Sequence, residues 1–161
     1  MISVLPFHLA AQQYAVPLEH VIRVVPMLLP TQLPGAPANI AGVVSIHGQV
    51  FPVIDLAHVF HQPELKVDLW TPMIWLRTTA RELLIPVSSV EEISQVEPEQ
   101  FVEGSHESIK SPLLSGVLSK HDHLLLIMDI EALLSPADEG ALAQALADYC
   151  GTAQAPAEGA P

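Results

Sequence analysis

The chain has 161 residues, half of them hydrophobic and 15% charged, which is enough apolar material for a sizeable core and excludes disorder throughout. Its formal net charge of -12, from 6 Lys+Arg against 18 Asp+Glu with the basic residues scattered, excludes nucleic acid and anionic membrane as natural partners. Mean hydropathy is high at +0.38, yet no apolar run approaches the roughly 18 residues of a spanning helix, and the run at 124–128 is closed by Asp129.

A single cysteine, Cys150, excludes an intramolecular disulfide and any cysteine-based zinc knuckle. The first residues carry no basic region and no small-residue cleavage site, so no secretory leader is expected and the cytoplasm is the expected compartment.

Along the chain, short apolar runs are broken by Pro, Gly and polar pairs, as in barrels of short strands. Fifteen prolines argue against long helices, because proline removes a donor and clashes with the preceding turn. Strands are predicted at 4–9, 14–16, 23–28, 43–46, 50–54, 73–76, 83–87, 93–96, 113–119 and 124–128. Residues 30–37, with three prolines, read as a stiff loop, and 61–68 as a polar connection. The acidic stretch 91–107 carries six Glu, and its later part reads as an exposed loop. Ser135-Pro136 opens a helix through 149, with Ser as cap and Pro at the first helical position. Gly151 is expected to stop it, leaving 152–161 as a disordered tail.

The most informative feature is an internal repeat. The block from Gly42 to Leu56 aligns without a gap to that from Gly116 to Ile130, an offset of 74 positions. A second pair, Val16-Pro17 with Val21 and Val24 against Ile85-Pro86 with Val90 and Ile93, stands at an offset of 69. Unequal offsets mark an indel between two diverged copies of one unit. Each copy reads as a hairpin turning at a polar pair, His47-Gly48 or His121-Asp122. An aspartate follows, then apolar residues at helical spacing, so Asp55 and Asp129 read as structural helix caps.

Catalytic signatures are missing: no phosphate loop, no GxGxxG, no HExxH, no GxSxG. No catalytic residue and no cofactor are therefore assigned. Eight histidines keep a metal-binding protein or hydrolase open as the alternative. His58 and His61 would share a face if helical, and His121 and His123 flank Asp122, but three or four ligands must converge at about 2 Å. Solvated turn histidines are the simpler reading, so no metal site is assigned.

At the first copy a family resemblance becomes specific. Phe7-x-Leu9, Tyr14-Ala15-Val16-Pro17, Pro34-x-x-Pro37, Ile40-x-Gly42-Val43 and His47-Gly48-x-Val50-x-Pro52-Val53-Ile54-Asp55-Leu56 resemble the CheW coupling proteins of bacterial chemotaxis. Gly116-Val117 and Leu126-x-Met128-Asp129-Ile130-x-x-Leu133-Leu134 extend the likeness. The resemblance implies an all-β fold of two SH3-like five-stranded β-barrel subdomains around a shared interior, with short helices and a C-terminal helix. It implies one CheW-like domain over 1–151, its intertwined halves built on blocks at about 14–60 and 83–134, with a terminal helix at 136–149. It also implies a non-enzymatic scaffold that couples the cytoplasmic tip of chemoreceptors to the regulatory domain of a CheA-type histidine kinase. Ile40, Val43, His47 and Gly48 are then expected at or near a receptor- or kinase-binding groove.

Departures from the family bear on partner choice. The usual Arg of an Asn-Leu-Arg-Gly turn is replaced by His47 in Ser45-Ile46-His47-Gly48. The Arg that commonly follows Asp-Leu is Ala57, and a familiar Gly and Asp of the second half fall on Leu84 and Ser88. Histidine and alanine cannot reproduce the planar donor fork of Arg.

Overall fold

The computed structural model describes residues 2–97, 113–120 and 123–159. The later part of the acidic loop, and the His121-Asp122 tip, lie outside the described residues. The strands are β1 (Ile2–Leu9), β2 (Gln12–Pro17), β3 (Val21–Pro26), β4 (Ile40–Ile46), β5 (Gln49–Ile54), β6 (Pro72–Arg77), β7 (Glu82–Pro86), β8 (Ser89–Val90), β9 (Ser94–Val96), β10 (Leu114–Lys120) and β11 (His123–Met128). The helices are α1 (Leu56–Val59) and α2 (Pro136–Gly159), with 3₁₀ turns at Leu18–His20 and Ile130–Ala132.

The strands form two sheets. One has the order β10-β11-β2-β1-β8, with β9 also on β1, and the other has the order β3-β6-β7-β5-β4. The fold is mainly β, as expected, but the ladders of hydrogen bonds do not close into barrels among the described residues. Between β3 and β4 the connection carries Pro30, Pro34 and Pro37, which cannot donate to a ladder, so only the Thr31–Val43 bridge extends that edge.

The two sheets repeat each other residue for residue, and each takes a hairpin from the other copy. The β1–β2 hairpin joins the late β10–β11 hairpin through the parallel pair Ala15–Ile127. The β6–β7 hairpin joins the early β4–β5 hairpin through the parallel pair Leu84–Val53. Ala15 and Leu84 correspond at the offset of 69, and Val53 and Ile127 at the offset of 74. The outer strands obey the same rule: Val21 pairs with Leu76, and Val90 with Phe7. Even the irregularities repeat, with a bulge between Ile40 and Gly42 and another between Leu114 and Gly116.

Alternation along each strand creates three cores. A central one, between the sheets, includes Phe7, Tyr14, Val16, Ile54, Leu56, Ile74, Leu76, Leu83, Ile85, Met128 and Ile130. Each sheet also curls over a small core of its own: Val44, Phe51, Val53, Met73 and Leu84 on one side, and Leu118, Leu125, Ile127, Val4 and Ala15 on the other. Those two sets are the same positions in the two copies.

Helix α2 begins where Ser135 Oγ accepts from Asp138 N at 3.1 Å, and seals the central core with Leu142 and Ala145. It runs to Gly159, past the Gly151 at which a stop was expected.

Candidate functional site

The β4–β5 hairpin turns at His47 and Gly48, whose φ angles of 52° and 79° between the paired Ile46 and Gln49 place both residues in the left-handed region of a two-residue turn. Both are exposed. Ile40 and Val43, expected near a binding groove, are buried in the central core and support the hairpin from beneath. Their place is dictated by the bulge, which turns both side chains inward.

Gly42 sits where no side chain fits: a Cβ there would stand 2.4 Å from the backbone oxygen of Thr31. That approach is what allows Thr31 and Val43 to exchange two backbone hydrogen bonds of 2.8 Å. Asp55 Oδ1 accepts from His58 N at 3.2 Å and starts α1, while Asp129 Oδ1 accepts from Glu131 N at 3.1 Å and starts the 3₁₀ turn. Their backbones correspond too, with Asp55 N donating to Asn39 O and Asp129 N to Leu113 O, both at 2.8 Å.

An apolar surface missed in the sequence lies at one end of the β3–β6 ladder. That ladder ends at the pair Pro26–Pro72, so the segments after Pro26 and before Pro72 leave it together. They expose Leu29 (80%), Leu69 (85%) and Trp70 (89%), with Leu28 and Val67 about half as open. The available signal was an adjacent apolar pair in each of two loops without helix or strand periodicity.

Beside this patch a groove of about 200 Å³ is lined by Met27, Ala41, Leu56, Ala57, Pro86 and the connection residues Leu65 and Val67. Its counterpart on the other sheet, lined by Val96, Ser115, Pro17 and Ile127 among others, measures about 710 Å³. At the edge of one small core the exposed Arg23 guanidinium lies 5.9 Å over the Trp75 ring, and Phe51 lies 5.1 Å from the same ring. Among the described residues no acceptor reaches the buried Trp75 Nε1.

The titratable groups do not converge. His58 lies within α1, whereas His61 lies beyond it at φ 55°, so the two do not share a helical face. His123 Nε2 stands 2.8 Å from Gln13 Oε1, Gln13 Nε2 donates to Glu91 Oε2, and His8 Nδ1 lies 3.5 Å from Glu91 Oε1. That chain is a polar seam across the sheet. Among the described residues no group of three or more His, Cys, Asp or Glu could hold a metal ion, and the histidine-based alternative gains no support. Burial pushes the Tyr14 phenol above its ordinary value despite the bond it accepts from Gln62. Hydrogen bonds from Thr79 hold the Glu131 carboxyl below its usual range.

The CheW-like domain family matches residues 3–138, and the chain belongs to that family. It is 26% identical over 131 residues to the chemotaxis protein CheW of Bacillus subtilis, covering 80% of this chain and 83% of that protein. To the chemotaxis protein CheW of Klebsiella aerogenes it is 29% identical over 107 residues, covering 65% and 64%. The crystal structure of the scaffolding protein TtCheW from Thermoanaerobacter tengcongensis shares its fold, with a TM-score of 0.75, 20% identity, and coverage of 85% of this chain and 90% of that one. No helix among the described residues is long and apolar enough to cross a membrane.

Proposed function

We propose that this chain is a non-enzymatic cytoplasmic adaptor that couples chemoreceptors to a CheA-type histidine kinase, acting as one CheW-like domain over residues 1–151. Membership of the CheW-like family across residues 3–138 is the observation that carries the reading. The exposed end around Leu29, Leu69 and Trp70 and the hairpin tip at His47 and Gly48 supply its contact surfaces, with Ile40 and Val43 shaping the strand behind the tip. An adaptor of this kind needs apolar grooves and exposed loops suited to a helical hairpin, rather than converging acids and bases.

The test is a calorimetric titration with the regulatory domain of the kinase encoded in the same organism. Saturable binding near one to one is expected. Absence of binding to every CheA-type kinase of that organism would refute the proposal.

The same reading includes an altered choice of receptor. The family resemblance implies Arg where His47 and Ala57 stand; at the exposed His47 that replacement removes a fixed charge and a donor fork. Receptor tips that bind Arg-bearing adaptors are expected to bind this chain more weakly, and equal affinity would overturn that part.

A further inference from the structure

We infer that β4 takes up an extended peptide segment of a partner at its outer edge, by strand addition at Ser45, with an apolar side chain of that segment held in a groove beside it. The class of occupant follows from this edge and does not rest on the adaptor reading. β4 stands last in the order β3-β6-β7-β5-β4, so among the described strands it is an edge. Along its outer side Val43 exchanges two backbone hydrogen bonds with Thr31, an isolated bridge. Hydrogen-bonding direction alternates along an antiparallel strand, and β4 pairs with β5 without a shift from Gly42 to Ile46. Ser45 N and O therefore point outward, as those of Val43 do, and among the described residues they take no partner.

The chain does not continue its own bridge. Antiparallel register would set Leu29 opposite Ser45, two residues on from the Thr31–Val43 pair, yet no ladder forms there and Leu29 stands in water. Between them opens a groove of about 240 Å³, lined by Leu28, Leu29, Val50 and, from α2, Tyr149. Exposed edges are ordinarily blunted by charge, proline or a bulge. The bulge between Ile40 and Gly42 and the Thr31 bridge close the first half of β4, whereas Val44, Ser45 and Ile46 bring neither charge nor proline to the second.

Backbone and walls together specify the occupant. An outward N–H and C=O on one residue are met by one residue of an extended chain, which exchanges both bonds as Thr31 does with Val43. A helix cannot supply them, because its backbone groups are bonded internally. Leu28, Leu29, Val50 and the Tyr149 ring then favour an apolar side chain on that segment. Thr31 already holds the ground beside Val43, so the added segment ends or turns away there and runs out past the His47-Gly48 turn. For the same reason a second copy's β4, laid antiparallel along the whole edge, would run into Thr31 and is not the occupant.

The test is amide NMR of the whole chain, titrated to millimolar concentration with the end-capped pentapeptide Lys-Thr-Leu-Thr-Lys. The Ser45 amide is expected to shift saturably and to gain protection from hydrogen exchange. Alanine in place of the central leucine is expected to weaken binding about tenfold. N-methylation of that leucine, which removes the donor facing Ser45 O, is expected to weaken it about tenfold as well. Ser45→Pro removes the outward N–H and no bond to β5, so it should abolish binding, whereas Ser45→Ala should keep it. A Ser45 amide that neither shifts nor gains protection overturns the strand addition, and so does equal binding of the N-methylated peptide, a reading that stands even if Ser45→Pro fails to fold. Equal binding of the leucine and alanine peptides overturns the apolar groove. The peptides contain nothing of kinase or receptor, so these outcomes are independent of the calorimetric test of the adaptor reading.

Discussion

At the scale of single residues, backbone geometry constrains this molecule more tightly than side-chain chemistry. A methyl group on Gly42 would collide with backbone rather than with a yielding side chain. Gly42→Ala is therefore expected to cost about 1–3 kcal/mol in urea unfolding, the range of overpacked sites. His47 takes a left-handed conformation that Asn and Gly adopt readily and β-branched residues resist. His47→Asn should leave stability within about 0.5 kcal/mol of the parent while His47→Val lowers it by about 1–3 kcal/mol, separating the turn's needs from any binding role. Glu131 offers a pH handle. Its carboxyl is held below the usual value chiefly by the Thr79 hydroxyl, so its contribution to stability is present above the ordinary carboxylate pKa and fades as pH falls through the lowered one. Thr79→Val should move the Glu131 titration, followed by carboxyl NMR, back toward 4.5.

Among the elements, α2 is the one whose attachment is most easily tested. Leu142 is wholly buried in the central core, and Leu142→Ala is expected to cost about 2–5 kcal/mol as lost transfer energy plus a cavity. A polar clasp assists it: Arg81, in the β6–β7 turn, donates through Nε at 2.8 Å and through Nη2 to Glu139 in the helix's first turn. The pair is only partly screened from water, so Arg81→Met should cost about 1 kcal/mol, measured by the shift in the urea midpoint. The strands were legible from their apolar runs, with boundaries displaced where prolines intervene. Pro26 and Pro72 face each other at the end of a ladder, a position that asks no donor of them, so β3 stops at Pro26 instead of continuing to 28.

For the whole molecule, the exchanged hairpins decide cooperativity. Neither copy owns a complete sheet, because β1–β2 completes the late copy and β6–β7 the early one. Both sheets also bury one face against the same central core. Unfolding followed by tryptophan fluorescence and by far-UV circular dichroism should therefore give coincident transitions. A fragment of residues 1–80 should fail to fold, having lost β7 from one sheet and β10–β11 from the other. Separate transitions, or a folded fragment, would show that the copies are independent.

The repeat, the capped turns, the mainly β character and the family were all readable in the sequence, because each is written in short-range patterns of apolar alternation, turn residues and spacing. The unreadable part depends on which segments meet. Exchange of hairpins between the copies leaves every local pattern unchanged. Ile40 and Val43 look the same whether they face a groove or a core, and only the bulge beside Gly42 sends them inward. Leu69 and Trp70 read as ordinary apolar residues until the paired prolines carry them past the end of a ladder into water. Composition and spacing thus determined the units and their kind, while long-range strand pairing, which no local pattern encodes, decided which faces were buried and which were left for a partner.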